Sequence, residues 1–352
     1  MHMADALLSP AVGGTMWAAA GAAIAYCSRK VSKELDDCKT PLMGVLAAFV
    51  FAVQMINFTI PGTGSSGHLG GGMLLAILLG PEAAFLAVAS VLTVQALFFA
   101  DGGLLALGCN IFNLGFISCF IVYPLIYKKI VGAAPSEKRI IRGALVSAIV
   151  GLQLGAFGVV LETVASGISA LPFPTFVLLM QPIHLAVGIV EGLVTATLVL
   201  FVWRARPEIL RSVAESRPLE GVALKKVLIG LLIATLATGG VLSWFASTNP
   251  DGLEWSIARA TESAGVNTRA PGLHQLLADV QQRMAVLPHY GFDHRGKEAQ
   301  KPAAAAQAQQ PVSWPEVDTG RTVAGLVGGL LTLVLAVAIG LVLKWRLRAG
   351  AA

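Results

Sequence analysis

The sequence predicts an all-α, polytopic membrane protein, and three observations predict it. First, 55% of the 352 residues are hydrophobic and only 13% charged, with a mean hydropathy of +0.74, whereas a soluble domain carries about 25% charged residues. Second, the apolar residues fall in uninterrupted runs able to cross about 30 Å of hydrocarbon. Third, no run alternates over roughly ten residues as a membrane barrel strand does, while 38 glycines and Ala-rich stretches suit helices that approach closely in lipid.

The predicted crossings, in order, are 11–27, 41–59, a shorter one at 66–80, then 83–100, 104–127, 140–167, 176–203, 224–246 and 322–344, about nine in all. Gly80-Pro81 separates the third from the fourth. Of the 25 Lys and Arg residues, 18 lie in 28–40, 128–142, 204–226 and the C-terminal tail, and the other seven all lie in 247–321. The positive-inside rule exempts long translocated segments, so the pattern predicts an external N-terminus and a cytoplasmic C-terminus, provided 66–80 crosses. The opening MHMADALLSP has no basic n-region, so no signal peptide is expected. The expected localisation is the cell (inner) membrane, as a multi-pass protein.

A polar stretch divides the chain. Residues 1–205 form a seven-span unit, 206–223 a cytoplasmic linker, and 224–352 a two-span unit around an external insert at 247–321. Within the insert, Lys301 to Pro311 is Ala/Gln/Pro-rich and linker-like. The cysteines Cys27, Cys38, Cys109 and Cys119 lack metal or disulfide spacing and read as small core residues. The net charge of +5 is accounted for by membrane orientation, and nucleic acid binding is not expected. There is no Walker A sequence, no HExxH and no GxSxG, so a P-loop ATPase or a conventional hydrolase is not expected. No catalytic residue and no permanently bound cofactor are expected either.

Six histidines are present, and His2, His68 and His184 belong to the seven-span unit. If Met1 keeps a free amine, that amine, the amide nitrogen of His2 and its imidazole close adjacent five- and six-membered chelate rings on one ion. His68, at the predicted outer start of the third span, is the natural fourth donor. Four nitrogens in a plane suit Ni²⁺, Co²⁺ or Cu²⁺ better than Zn²⁺, Mg²⁺ or Ca²⁺. Gly67, Gly70, Gly71 and Gly72 would let another segment approach closely. The alternative is that His2 is a frayed terminal residue and His68 an interfacial helix cap.

Four stretches carry a resemblance: MHMADALLSP (1–10), QMINFTIPGTGSSGHLGGG (54–72), DGGLLALGCNIFNLGF (101–116) and QPIHLAVGIVEGLVTA (181–196). In this order they resemble the CbiM/NikM family, the cobalt and nickel substrate-binding components of energy-coupling factor transporters. NPDGLEWS (249–256) resembles the PDGLE segment of the small NikN/CbiN component, so the chain looks like a fusion of the two. The resemblance implies that Met1, His2 and His68 bind Ni²⁺ or Co²⁺ in an outward-facing pocket. It further implies separate ATPase subunits and a transmembrane coupling subunit, which small-residue faces of spans one and three would receive. The family often opens Met-His-Ile-Pro-Asp-Gly; here Asp5 matches while Met3, Ala4 and Ala6 differ.

A ligating imidazole needs a partner for its other nitrogen, and Asp5, Asn57, Thr59 and Ser66 are near the donors in sequence. Asn57 is the first candidate, or else a helix cap. Glu162, His184 and Glu191 are ionisable residues in apolar spans and should face the bundle. His184 is either a further ligand or a bridge between helices; Glu162 attracts cations, and Glu191 braces helices. Gln54, Gln95, Asn110, Asn113 and Gln153 are read as interhelical glue. His289 and His294 around Asp293 are read as a surface loop or a weak metal-capturing site. Pro250-Asp251-Gly252 should form a turn leading into a short helix. Two other function classes, an intramembrane metal-dependent enzyme and a metal-responsive membrane sensor, stand as alternatives to transport.

Overall fold

The computed structural model describes residues 2–34, 38–169, 171–219, 223–262, 272–292, 315 and 317–350. In the first unit, α1 is Pro10–Glu34, α2 Lys39–Gln54, α3 Gly72–Leu79, α4 Pro81–Phe99, α5 Leu107–Val131, α6 Glu137–Ser166 and α7 Phe173–Ala205. A short amphipathic α8, Pro207–Ala214, follows, then α9 Lys225–Gly240, α10 Gly252–Glu262, α11 Leu273–Met284 and α12 Thr319–Gly350. Each of the nine apolar runs contains a helix, though not all of them are helical throughout. Among the described residues, five are long and apolar enough to cross a membrane: α4, α5, α6, α7 and α12.

Two elements depart from the expected spans. The run expected to continue to residue 59 stops at Gln54, and the chain then forms an antiparallel hairpin, β1 Phe58–Ile60 with β2 Ser65–Gly67. Gly62 and Gly64, at φ of +77° and +75°, take the left-handed turn conformation that glycine adopts without strain. The third run holds only the eight residues of α3, about 12 Å of helix. Its other part is the end of β2 and the loop 68–71, and Gly80 (φ +84°) turns the chain from α3 into α4.

Helix α6 packs along α7, and α12 lies against α2, α4 and α9. Close approach at small residues joins α9 and α12 to each other and to the first unit. A Cβ on Gly325 would come within 2.4 Å of the Gly239 carbonyl oxygen, and one on Gly44 within 2.5 Å of Val337. The opposite end of the bundle from His2 carries a Lys30–Glu82 ion pair at 2.6 Å.

Candidate metal site

The N-terminal segment is threaded into the bundle, with Met3 and Leu8 fully buried. The loop after α4 and the first turn of α5 hold it there. The Met3 amide donates to Asn110 Oδ1 at 2.8 Å, the Gly103 amide to the Met3 carbonyl at 2.9 Å, and the Ala106 amide to Asp5 Oδ1 at 2.9 Å. The two glycines of Asp101-Gly102-Gly103 make room for this contact. A Cβ on Gly103 would lie 2.4 Å from the Asp5 amide nitrogen, and one on Gly102 3.3 Å from the His2 Cβ.

His68 lies on the irregular stretch between β2 and α3, whose backbone is held from two sides. Glu191 of α7 accepts the amides of Gly70 (2.6 Å) and Gly71 (3.1 Å), and Gln54 Nε2 donates to the Gly70 carbonyl at 2.6 Å. The His68 ring donates from Nδ1 to the Leu69 carbonyl at 3.1 Å, which places the lone pair on Nε2. The His2 and His68 rings are stacked, with centroids 4.8 Å apart and planes within 8°. His2 Nδ1 faces Asp101 Oδ1 at 3.1 Å, while its Nε2 is buried without a hydrogen-bond partner. Asp101 Oδ2 accepts the Tyr290 hydroxyl at 2.5 Å. Burial would raise the Asp101 carboxyl, but attraction to His2 and the bonds from His2 and Tyr290 hold it well below the usual carboxylate range.

The PDGLE stretch docks beside this pair. Asp251 caps α10: its Oδ1 accepts the Glu254 amide at 2.8 Å, and Glu254 Oε2 receives the Asp251 amide at 3.3 Å, a reciprocal capping box. The Ser66 amide and hydroxyl both bond the Pro250 carbonyl, at 2.8 and 3.1 Å, and the hydroxyl also bonds the Asn249 carbonyl at 2.7 Å. Gly252 is required by close packing, since a Cβ there would lie 2.5 Å from Ile183. Between the units lies a cavity of about 610 Å³, lined by His2, His68, Asp101, Asp251, Glu254 and Tyr290 among others.

The structure thus brings His2 and His68 together with Asp5 close by, while Met1 lies outside the described residues. Asn57 lines the cavity and gives its carbonyl to the Ser247 amide at 2.7 Å; it caps no helix, because α2 ends before it. Ser66 serves the PDGLE turn rather than the His68 ring. His184 bonds the Met180 carbonyl of its own helix at 2.8 Å, and a Cβ on Gly252 would lie 3.4 Å from its Cε1. Glu162 is elsewhere, accepting Asn113 Nδ2 at 2.7 Å. His289 lines the cavity, whereas Asp293, His294 and 301–311 lie outside the described residues. Sequence reasoning missed Asp101 and Tyr290 altogether and read Asn110 as interhelical glue. For Asp101 a signal existed, a carboxylate followed by two glycines at a helix end. Among the described residues no cluster of three or more His, Cys, Asp or Glu could by itself hold a metal.

Residues 2–209 match the family described as the cobalt uptake substrate-specific transmembrane region, CbiM. The chain belongs to the CbiM family. Residues 225–345 match the PDGLE domain. The chain is 33% identical over 225 residues to the fused nickel transport protein NikMN of Rhodobacter capsulatus, covering 60% of this chain and 64% of that one. The probable fused nickel transport protein LarMN of Lactiplantibacillus plantarum is 32% identical over 286 residues, 77% of this chain and 84% of that one. A crystal structure of a transition metal transporter superposes with a TM-score of 0.53 at 30% identity, covering 60% of this chain and 97% of that one. As a CbiM family member joined to a PDGLE domain, the chain is a multi-pass membrane protein of the cobalt and nickel transport group, a transporter component rather than an enzyme.

Proposed function

We propose that this chain is the substrate-binding membrane component of an energy-coupling-factor importer for Ni²⁺ or Co²⁺. The ion is captured by the amine of Met1, the amide and imidazole nitrogens of His2, and the His68 imidazole. The observation that carries this reading is the stacked pair of His2 and His68, 4.8 Å apart at the wall of the inter-unit cavity. They come from segments that share no secondary structure and are each fixed by backbone hydrogen bonds. Neutral nitrogen donors of this kind suit late first-row ions. The Nδ1 bond of His68 to Leu69 supplies the outer partner that orients a ligating ring.

The cavity-bearing end of the bundle faces outward in this reading, and the basic loops face the cytoplasm. Separate ATPase subunits and a coupling subunit drive release inward. The PDGLE turn, bonded to Ser66 two residues before His68, helps hold the His2 end in its seated form. The test is metal titration of three forms of the purified protein: unmodified, His2→Ala, and one extended by a residue ahead of Met1. Tight Ni²⁺ or Co²⁺ binding abolished by both changes is expected; undiminished binding by the extended form would remove the amine from the donor set.

A further inference from the structure

We infer that Tyr290 of the external insert is a positioning residue for metal capture, acting through Asp101 on His2. The inference rests on the metal-site reading above and deepens it.

The imidazole nitrogen that must join a chelate ring with the amine and amide is Nδ1, because only Nδ1 closes a six-membered ring with the His2 amide. In this structure Nδ1 is committed to Asp101 Oδ1 at 3.1 Å. Loading an ion therefore exchanges the Asp101 contact for a metal bond: Nδ1 gives up its proton to solvent, Nε2 takes one from solvent, and the ring binds as the neutral imidazole. Once His2 turns away, Asp101 has lost one of its two side-chain partners among the described residues. The other is Tyr290, whose hydroxyl donates to Oδ2 at 2.5 Å. A partly buried carboxylate left with no donor is costly, so the hydroxyl stabilises the state in which His2 has been released.

The insert is built to deliver that hydroxyl. The amides of Val286 and Leu287 both donate to the Phe98 carbonyl, at 3.0 and 3.1 Å, and Gln281 Nε2 donates to the carbonyls of Ala96 (2.8 Å) and Gly102 (2.6 Å). These contacts fasten the insert to the end of α4, on both sides of Asp101. The Tyr290 ring stacks on Phe99 at 5.1 Å and meets Phe51 edge-on at 6.2 Å. His289 and Tyr290 take φ of +52° and +61°, a left-handed backbone uncommon for such side chains and held only where the surroundings fix it.

The experiment is a double-mutant cycle on the full chain in detergent, with Ni²⁺ as the titrant and affinity read by calorimetry. Tyr290→Phe keeps the ring on Phe99 and removes only the hydroxyl. It should weaken Ni²⁺ binding about tenfold: the bond is made in both states, and only the extra cost of leaving Asp101 with no donor once His2 is released reaches the affinity. The visible absorption of bound Ni²⁺ should be unchanged, since the donors are the same. In an Asp101→Ala background, which has no acceptor for the hydroxyl, the same substitution should change affinity less than about twofold, because interaction energies vanish when the shared partner is gone. Binding by Tyr290→Phe within about twofold of the unaltered protein would overturn the inference and leave the metal site standing. An equal loss in both backgrounds would also overturn it, marking Tyr290 as mere packing. Absence of Ni²⁺ and Co²⁺ binding by the unaltered protein would overturn the site reading and this inference together.

Discussion

Gly103→Ala is the most direct probe of the N-terminal seat. A Cβ at this position would sit 1.8 Å from Asp5 Oδ1 and 2.4 Å from the Asp5 amide nitrogen. A side chain can rotate away from such a contact, but a backbone nitrogen cannot, so the N-terminal segment must lift. Lifting it breaks the bonds from Gly103 to Met3, from Met3 to Asn110 and from Ala106 to Asp5. Each contributes about 1 kcal/mol net, so the seated form loses about 3 kcal/mol, which corresponds to about a hundredfold weaker Ni²⁺ binding. Calorimetric titration of the variant checks this, with Gly21→Ala as the control, because nothing lies within 4 Å of a Cβ there. Binding by Gly103→Ala equal to that of the control would refute the reasoning, since the fixed N-terminal segment would then play no part in capture.

Other substitutions probe neighbouring supports. Glu191→Gln gives up charged acceptance of the Gly70 and Gly71 amides and should lower Ni²⁺ affinity about tenfold by loosening the His68 loop, as read in the same titration. Ser66→Val removes the hydroxyl bonds to Asn249 and Pro250 and should expose the insert to limited proteolysis while α1 to α7 resist. Deleting the PDGLE stretch 250–254 should reduce metal uptake in cells; uptake at the unaltered level would dismiss its role in seating the N-terminus. Asp101 predicts a pH effect whose sign is fixed: its carboxyl is held below the ordinary value of 3.8, so its contribution to docking is full above that value and is lost as pH falls through the lowered one. Hydrogen exchange at the Val286 and Leu287 amides, corrected for intrinsic rate, should quicken only under such acid conditions, and Asp101→Asn should reproduce the quickening at neutral pH.

The long helices were legible because an apolar run over about 30 Å of hydrocarbon has few alternatives to helix. What escaped was backbone that is irregular at the same hydropathy. Phe58–Ile60 is as apolar as the end of a helix, and a short apolar run does not distinguish strand from helix; the local sign of the hairpin was the turn Pro61-Gly62-Thr63-Gly64. His2 and His68 stood out because so few side chains here can ligate a metal, and the chelate logic of the first two residues needs no tertiary structure. Their supports did not stand out. Asn110 meets Met3 across 107 residues and Tyr290 meets Asp101 across 189, distances over which pattern and spacing carry no information.

The placement of Glu191 follows from the same physics. Irregular backbone at membrane depth survives only where protein groups satisfy its amides and carbonyls, and in the loop 68–71 the Gly70 and Gly71 amides and the Gly70 carbonyl have no helical partner. The sequence answers with a carboxylate on α7 for the two amides and Gln54 on α2 for the Gly70 carbonyl. An all-helical third span would need neither residue, and its His68 would sit on a helix with no freedom to meet a second segment. The broken span and the buried Glu191 side chain are therefore one feature: the polar group is tolerated in an apolar helix because the loop that presents His68 requires it.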